Sequence, residues 1–308
     1  DFSLLEVEQL VLQYSLAETS IKLGRYILSW GEVEGAGVLD VINPAPDLTS
    51  GATAFTPQWL LSGHYYMPSA QVSAFMGLDP SVAAQPNVVL STNVAKEWGV
   101  KYGHTGAGSD WAVYAAQMVP NSAVLDLASA KAITTGTASA KAYQLIGYSW
   151  NKAINDDLFK FDVAYKQGLE NNLGYTGLIS ANRLDAAVGL ELNDGDQQWN
   201  ATLTAQHWLN YKPTYLTPGL PPVVSNQTDV RYSLGVEDSF YNDEYSWSLI
   251  HTGTPNGALR ALMAELTWQP NDQWQSSLGY AGMTANNNTA YASLDGTQRL
   301  TFEVKLSY

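Results

Sequence analysis

The fold class of this chain is decided by its last nine residues, Leu300-Thr-Phe-Glu-Val-Lys-Leu-Ser-Tyr308. Apolar residues occupy every second position, and polar or charged residues lie between them. A strand places alternate side chains on opposite faces, so this stretch forms a ribbon with one apolar and one polar face. The last strand of an outer-membrane barrel shows this pattern, because its outer face meets lipid and its inner face meets water. The edge strand of a soluble sandwich is the alternative that this segment alone leaves open.

The same alternation recurs along the chain between turn signals. We predict strands at 4–16, 20–30, 58–67, 71–78, 97–104, 110–119, 140–152, 158–167, 180–192, 197–209, 229–241, 244–253, 258–268, 273–283 and 298–308. Charged residues of both signs recur on one face of these segments and hardly ever on the other. A single strand of a barrel and of a sandwich look alike, so strand and connection lengths must separate them.

The connection lengths favour the barrel. Tight connections alternate with mostly longer ones, as short periplasmic turns alternate with long outer loops. The tight ones lie at 17–19, 68–70, 155–157, 193–196, 242–243 and 269–272, and the longer ones at 31–57, 79–96, 120–139, 168–179, 210–228 and 284–297. The strands approach the roughly 9–11 residues that a tilted membrane strand needs. Soluble strands average about five or six.

Composition excludes several classes of protein. The 308 residues contain no apolar run long enough for a membrane helix, although 45% of them are hydrophobic. A net charge of −14 argues against nucleic acid as a partner, because phosphates need a basic surface. Cysteine is absent, and the four histidines show no ligand spacing, so we expect no metal site and no cofactor.

Tryptophan positions support the barrel independently. Most of the 10 tryptophans fall at the ends of predicted strands, where aromatic rings form girdles at the lipid headgroups. We assign to these girdles Trp30, Trp59, Trp98, Trp111, Trp150, Trp199, Trp208, Trp268, Trp274 and Tyr308.

Strand parity bears on the strand number of the intact protein. With fifteen strands and a periplasmic carboxy terminus, the first strand begins on the outer side, whereas single-chain bacterial barrels usually have an even number. No signal peptide is present. We therefore expect at least one strand upstream of Asp1, with 16 strands in the intact protein and 14 as the alternative.

Residues 31–57 follow the second predicted strand and do not fit a lipid-facing strand. Glycines and the Asn43-Pro44 pair interrupt the ladder, yet the segment also carries the apolar residues Val38, Leu39, Val41 and Ile42. An irregular apolar segment fits best when folded inward as a hatch, because irregular backbone at membrane depth needs protein or lumen water around it. An outer loop that packs on itself is the alternative. We expect a constriction made by Arg25, Glu32, Glu34 and Asp40, in which the arginine pairs with a carboxylate.

This segment also carries a family resemblance. The motifs are Leu23-Gly24-Arg25, Trp30-Gly31-Glu32 and Leu39-Asp-Val-Ile-Asn-Pro44, with weaker likeness at Glu97-Trp-Gly-Val100 and in the hairpin from Lys152 to Gly168. They resemble an uncharacterised family of large Gram-negative outer-membrane proteins, a domain-of-unknown-function family, although Tyr26 replaces its usual glutamine. The resemblance implies an outer-membrane barrel, often encoded near resistance-nodulation-type transporters for hydrophobic molecules, with no settled substrate.

The predicted inner face carries charges of both signs. We assign as further pore residues Arg183, Asp185, Arg231, Glu237, Arg260 and Glu265. Rows of opposite charge would set solute preference, whereas interstrand salt bridges that fill the interior are an equal alternative.

The sequence does not favour an enzyme. Ser62 and His64 share one strand face, but no strained nucleophile elbow surrounds the serine. We expect a single outer-membrane barrel domain over 1–308 that passes small solutes, with hydrophobic or amphipathic ones among the candidates. A non-conducting scaffold for a transporter system and an outer-membrane hydrolase are the alternatives.

The expected location is the outer membrane of a Gram-negative bacterium. The expected partners are outer-membrane lipid and the barrel-assembly machinery through the carboxy-terminal strand, with a periplasmic or transporter protein as a further candidate.

Overall fold

A computed structural model describes most of the chain. The described residues are 9–33, 35–44, 55–80, 82, 88–90, 96–126, 136–172, 177–195, 197–212, 226–286 and 291–306. No α-helix occurs among them. A short 3-10 helix spans Ala292–Leu294. None of the helices in these ranges is long and apolar enough to cross a membrane.

Eighteen strands make up the described structure. In chain order they are β1 Leu10–Leu16, β2 Thr19–Tyr26, β3 Gln58–Met67, β4 Ala70–Asp79, β5 Val88–Leu90, β6 Trp98–Gly106, β7 Ser109–Met118, β8 Val124–Leu125, β9 Gly136–Ser139, β10 Tyr143–Ile154, β11 Asp157–Asn172, β12 Leu178–Asp194, β13 Gln197–Leu209, β14 Thr228–Phe240, β15 Tyr245–Gly253, β16 Leu259–Asn271, β17 Trp274–Ala285 and β18 Gln298–Leu306. Fifteen of them form one sheet in the order β1-β2-β3-β4-β6-β7-β10-β11-β12-β13-β14-β15-β16-β17-β18. Every pairing in this sheet is antiparallel and between chain neighbours, apart from the short strands that are skipped.

The fifteen strands of the large sheet correspond to the fifteen that the sequence predicts. Two strands are longer than predicted: β11 extends beyond 158–167 to Asn172, and β12 extends beyond 180–192 at both ends, from Leu178 to Asp194. The second predicted strand, 20–30, ends early at Tyr26, because the chain leaves the ladder there. The expected strand number of 16, or alternatively 14, concerns the intact protein and stays a prediction.

A second, small sheet was not predicted. Strands β5, β8 and β9 belong to two of the long connections, and β9 lies between the other two. The pairing of β5 with β9 is parallel. Two long connections are therefore tied to each other at one end of the large sheet, which we call the loop end. The opposite end, where the tight connections lie, we call the turn end.

The two faces of the large sheet differ as the alternation predicts. On β10, Leu145 is buried while its neighbour Ile146 is 65% exposed. We call the face that carries Leu145 the inner face, because residues 30–43 pack against it. The outer face exposes large apolar side chains along β1, β4, β14 and β18, among others. On β18, Phe302 is 72% exposed. Outer apolar side chains without a protein covering are what a lipid-facing surface requires.

The sheet curls around residues 30–43. These residues contact β4 through Phe75, β7 through Tyr114 and β11 through Asp162. In a flat sheet β4 and β11 would lie roughly 19 Å apart, since neighbouring strands are about 4.8 Å apart. Both strands contact the four residues 30–33, an arrangement expected on the concave side of a curved sheet.

Candidate functional site

Residues 30–43 form an apolar segment on the inner face, which we call the plug. Its side chains Trp30, Val38, Leu39 and Ile42 are at most 4% exposed. The indole of Trp30 packs edge-on against Phe75, with ring centroids 5.0 Å apart, and against Tyr114 at 5.2 Å. Burial of this many apolar groups holds the plug against the wall.

Glycines on the inner face make room for the plug. A Cβ atom at Gly147 would lie 2.2 Å from Leu39 Cδ2, and one at Gly99 would lie 2.4 Å from Trp30 Cη2. Both glycines stand in strand interiors, where glycine ordinarily weakens a strand. Their function here is close approach of the plug to the wall.

Asp162 of β11 binds the start of the plug. Its carboxylate accepts hydrogen bonds from the backbone nitrogen of Glu32 at 3.0 and 3.2 Å and from that of Val33 at 3.0 Å. The Glu32 carboxylate in turn accepts a hydrogen bond from Asn151 Nδ2 at 2.7 Å. Charge-assisted bonds of this kind are stronger than neutral ones. The plug backbone is therefore fixed to β10 and β11.

A buried ionic cluster binds the middle of the plug. Lys166 Nζ lies 2.7 Å from Asp185 Oδ2 and donates to the carbonyl oxygen of Gly37 at 3.1 Å. Arg183 donates to both oxygens of Asp185, at 2.6 and 2.8 Å. The side chains of Lys166 and Asp185 are 2% and 0% exposed. One carboxylate thus balances two cations beneath the plug.

Amide side chains bind the end of the plug. Asn43 Oδ1 accepts from the backbone nitrogen of Leu28 at 2.8 Å. Gln58 Nε2 donates to the carbonyl oxygen of Ile42 at 2.7 Å, and Asn121 Nδ2 donates to that of Val41 at 3.2 Å. These bonds satisfy backbone groups that have no ladder partner, as buried polar groups require.

The inner face of β13 to β16 lies beside the plug and borders open space, whereas Asp185 and Ala187 of β12 are at most 1% exposed. A cavity of about 510 Å³ lies between the plug residues Val33, Gly35 and Ala36 and this part of the wall. Glycine, apolar and aromatic residues form part of its lining, and ten polar residues line it as well: Lys160, Glu191, Asn200, Thr202, Thr204, Gln206, Asp229, Arg231, Ser233 and Thr252. The interior is therefore divided into an occupied half and an open, polar half.

A loop residue reaches the wall of this cavity. Arg231 Nη2 donates to the phenol oxygen of Tyr291 at 3.0 Å, and the guanidinium also contacts Asp229 at 2.9 Å. Burial raises the pKa of the Tyr291 phenol, although the cation of Arg231 opposes this. The connection between β17 and β18 is thereby attached to β14.

A second cavity lies on the same wall nearer the turn end. It has about 430 Å³, and its lining includes the inner-face residues Gln198, Ser248, Glu237 and Glu265. The register aligns Glu237 with Ser248 and Ser248 with Glu265. In the described part of the chain, neither glutamate belongs to an ion pair. This end of the open half is acidic.

Glu97 is a buried carboxyl at the loop end, one residue before β6. Its Oε1 accepts from the backbone nitrogen of Val119 at 2.9 Å, and its side chain packs on Gly77. Burial raises the pKa of Glu97 to about 7. Sequence analysis did not single out this residue.

Two predicted pore residues lie on the wrong face. Arg25 pairs with Leu10 and Trp59, whose side chains are exposed on the outer face. Its Nε donates to the carbonyl oxygen of Pro57 at 3.4 Å, a contact at the loop end. Arg260 pairs with Gly253, and the same register row continues to Tyr232 on the outer face. Residues 260 and 265 are an odd number apart, so one strand cannot present both inward.

The other predicted pore residues fall on the inner face or the plug. Glu32 and Asp40 belong to the plug, and Glu34 lies outside the described residues. Arg183, Asp185, Arg231, Glu237 and Glu265 lie on the inner wall. Arginine and aspartate are paired within strands β12 and β14 rather than arranged in opposed rows across the interior.

Two tryptophans are corrected in the same way. Trp30 is buried in the plug, and Trp208 faces inward, where the Arg183 guanidinium lies 5.1 Å from its ring centroid. The remaining seven lie on the outer face, Trp59 and Trp98 near the loop end and Trp111, Trp150, Trp199, Trp268 and Trp274 toward the turn end. Tyr308 lies outside the described residues.

Sequence analysis missed the anchors of the plug. Asp162 and Lys166 stand in a run of alternating residues and look like ordinary inward charges. Their only unusual sign is that they flank Ala164, a small residue on the same face that leaves space for a packed segment. Among the described residues, no group of three or more His, Cys, Asp or Glu side chains could hold a metal ion.

Comparison with known proteins gives the fold. No protein-family model matches the chain, and no curated protein matches it. The solved structure of Pseudomonas aeruginosa OccK8 (OprE) is similar with a TM-score of 0.54 at 7% identity, over 96% of this chain and 78% of that one. This likeness confirms the predicted all-β transmembrane antiparallel barrel.

Two further solved structures share less of the geometry. Outer-membrane expressed OmpT of Vibrio cholerae gives a TM-score of 0.44 at 10% identity, over 96% of this chain and 87% of that one. Acinetobacter baumannii OccAB2 gives a TM-score of 0.38 at 12% identity, over 97% of this chain and 90% of that one. The family resemblance of the motifs around Trp30 stays a prediction.

Proposed function

We propose that this barrel is a passive channel for small polar solutes in the outer membrane of a Gram-negative bacterium. The observation that carries the proposal is the polar space beside the plug. The cavities of about 510 and 430 Å³ lie one after the other along the same wall, from the plug toward the turn end. A barrel whose interior were only a structural core would fill this half as it fills the other.

The lining narrows the class of solute. The sequence led us to include hydrophobic and amphipathic solutes, on account of the apolar run near residue 38. That run is buried against the wall, and Val38 and Leu39 are at most 1% exposed. The space left open is lined by hydroxyl, amide and charged groups at ten positions, beside glycine and apolar residues. Polar solutes therefore suit the passage better.

The turn end should favour cations. Glu237 and Glu265 project from the inner wall near the turn end, and an acidic ring lowers the energy of a passing cation. Ion pairs nearer the plug contribute little net charge, because Lys160 lies 2.5 Å from Glu191 and Arg231 lies 2.9 Å from Asp229.

Single-channel conductance in a planar bilayer under a salt gradient tests this function. Steady ohmic steps with cation preference are expected, and the double variant Glu237→Gln/Glu265→Gln should shift the reversal potential toward zero. The matched control Asp194→Asn/Asp272→Asn removes two exposed charges at the turns of the same end, and it should leave the potential close to wild type. A silent but folded barrel would favour the scaffold alternative.

We include in the proposal that the chain is not an enzyme. Ser62 Oγ lies 3.5 Å from His64 Nε2, which is long for an activated nucleophile. The other ring nitrogen of His64 contacts Ser73 Oγ at 3.0 Å and Gln71 Nε2 at 2.9 Å rather than a carboxylate. Labelling of Ser62 by a serine-reactive probe would contradict this part of the proposal.

A further inference from the structure

The wall of the larger cavity carries an unusual run of neutral hydrogen-bonding side chains. Along β13, four successive inner positions are Asn200, Thr202, Thr204 and Gln206. Elsewhere the inner face mixes charges, glycine and apolar residues, as on β10 and β11. Four neutral donors and acceptors in succession provide a surface that can bind several hydroxyl groups of one solute.

The neutral surface continues across the neighbouring strands. Thr202 pairs with Ser233 of β14, and Ser233 pairs with Thr252 of β15. These three hydroxyl side chains therefore form one row perpendicular to the strands. Directly opposite residues in a sheet lie about 5 Å apart. That spacing suits the separation of polar groups across a sugar ring.

The opposite wall is apolar. Val33, Gly35 and Ala36 of the plug face the sheet across the cavity. On the sheet side, Leu259 and Met263 of β16 add apolar groups to the cavity lining. A sugar ring has the same division, with C–H groups on its faces and hydroxyl groups at its edge. The volume of about 510 Å³ falls in the range of about 300–1,000 Å³ that is usual for small-molecule sites.

The charged groups of the cavity are balanced by each other. Lys160 is paired with Glu191, and Arg231 is paired with Asp229 and bound by Tyr291. A charged solute would have to compete with these partners, whereas a neutral solute can accept or donate hydrogen bonds beside them. The chemistry of the site therefore favours a neutral ligand over an ion.

We propose that this cavity is a binding site for a neutral polyhydroxylated solute of mono- or disaccharide size. The inference deepens the proposed channel function by naming its solute, and it rests on that function for the direction of transport. The hydroxyl and amide row of β13, β14 and β15 binds the hydroxyl groups, and Val33 and Ala36 of the plug contact the ring face.

The first test measures block of the single-channel current by maltose. Maltose should reduce the current in a saturable way, whereas polyethylene glycol of the same mass should reduce it only by excluded volume. Glucose should block more strongly than glucuronate, which keeps the same ring and carries a negative charge. Equal effects of maltose and polyethylene glycol, or a stronger effect of glucuronate, would overturn the inference.

Variants locate the site. Thr202→Val/Ser233→Ala removes two hydroxyl groups with little change of volume, and it should weaken maltose block about threefold to tenfold. The matched control Ser246→Ala/Ser248→Ala removes two inner-face hydroxyl groups nearer the turn end and should not weaken the block. Equal block in both variants would place maltose elsewhere and overturn the assignment.

Calorimetric titration of the folded protein in detergent separates this inference from the channel proposal. Saturable heat of maltose binding without any conductance would overturn the channel and keep the site. Conductance without maltose binding or block would keep the channel and overturn the site.

Discussion

Asp162 Oδ2 lies 3.0 Å from the backbone nitrogen of Val33, a residue 129 positions earlier in the chain. This contact joins the middle of β11 to the start of the plug. It determines how wide the open half of the interior can be, because Val33 lines the larger cavity. If the barrel conducts as proposed, stability and permeation should therefore be coupled through this one carboxylate.

Asp162→Ala should loosen the plug. The substitution leaves the backbone nitrogens of Glu32 and Val33 without their acceptor, which costs about 1–3 kcal/mol of folding stability. Single-channel recordings should show larger or fluctuating conductance. Asp110→Ala on the inner face of β7 is the control, and it should leave the open level steady. Wild-type conductance in Asp162→Ala would argue that the plug does not limit the pore.

Gly147→Ala should destabilise the protein through the plug. The new Cβ would lie 2.2 Å from Leu39 Cδ2, and Leu39 is fully buried, so overpacking costs about 1–3 kcal/mol. In Leu39→Ala/Gly147→Ala the clash is absent. The double variant should therefore lose less folding stability than the sum of the losses in the two single variants, Leu39→Ala and Gly147→Ala. Gly103→Ala, whose Cβ would meet nothing closer than 3.7 Å, is the control. Urea unfolding in lipid vesicles measures all four variants, and strict additivity would refute the contact.

Asp185→Asn should reduce the free energy of unfolding more than Lys166→Met does. The first substitution leaves two cations, Lys166 and Arg183, without their shared carboxylate, and breaking a buried pair costs about 3–5 kcal/mol. The second leaves the Arg183–Asp185 pair intact. Lys160→Met, in a partly exposed pair, should cost no more than about 1 kcal/mol. Equal losses in all three unfolding titrations would show that burial of the cluster does not matter.

Stability should fall as the pH rises through the range set by Glu97. Its pKa of about 7 in the folded protein lies above the ordinary 4.5, so the folded state binds more protons between these values. The free energy of unfolding therefore decreases from about pH 4.5 to about pH 7, by on the order of 3 kcal/mol. Glu97→Gln should remove this slope.

The measurement is the urea midpoint of tryptophan fluorescence at several pH values, taken as the difference between wild type and Glu97→Gln. Glu18→Gln, which removes an exposed carboxyl at a turn, should keep the wild-type slope. If the slope survives in Glu97→Gln, the pH dependence comes from another titratable group.

Much of the fold is readable from the sequence because strand alternation is a local property. Leu300, Phe302 and Val304 face outward on β18 wherever that strand is placed, since side chains alternate with a period of two. The tight turns are local as well. At Asn155 the chain adopts a left-handed conformation, with φ of 56°, that asparagine tolerates better than most residues. The same period of two places Arg260 on the opposite face from Glu265, and Arg25 in an outer-face row with Leu10 and Trp59.

The plug and its surroundings were decided by tertiary structure. The sequence by itself indicated that residues 31–57 are irregular and apolar, but an inward segment and a self-packed outer loop have the same composition. Which wall such a segment covers depends on Asp162 and Lys166, more than 120 residues away, and on the space left by Gly147. Contacts between residues so distant in the chain leave no periodic signal, because each is made by a single pair. The open half of the interior, and with it the proposed solute site, is formed only when the plug packs against the opposite part of the wall.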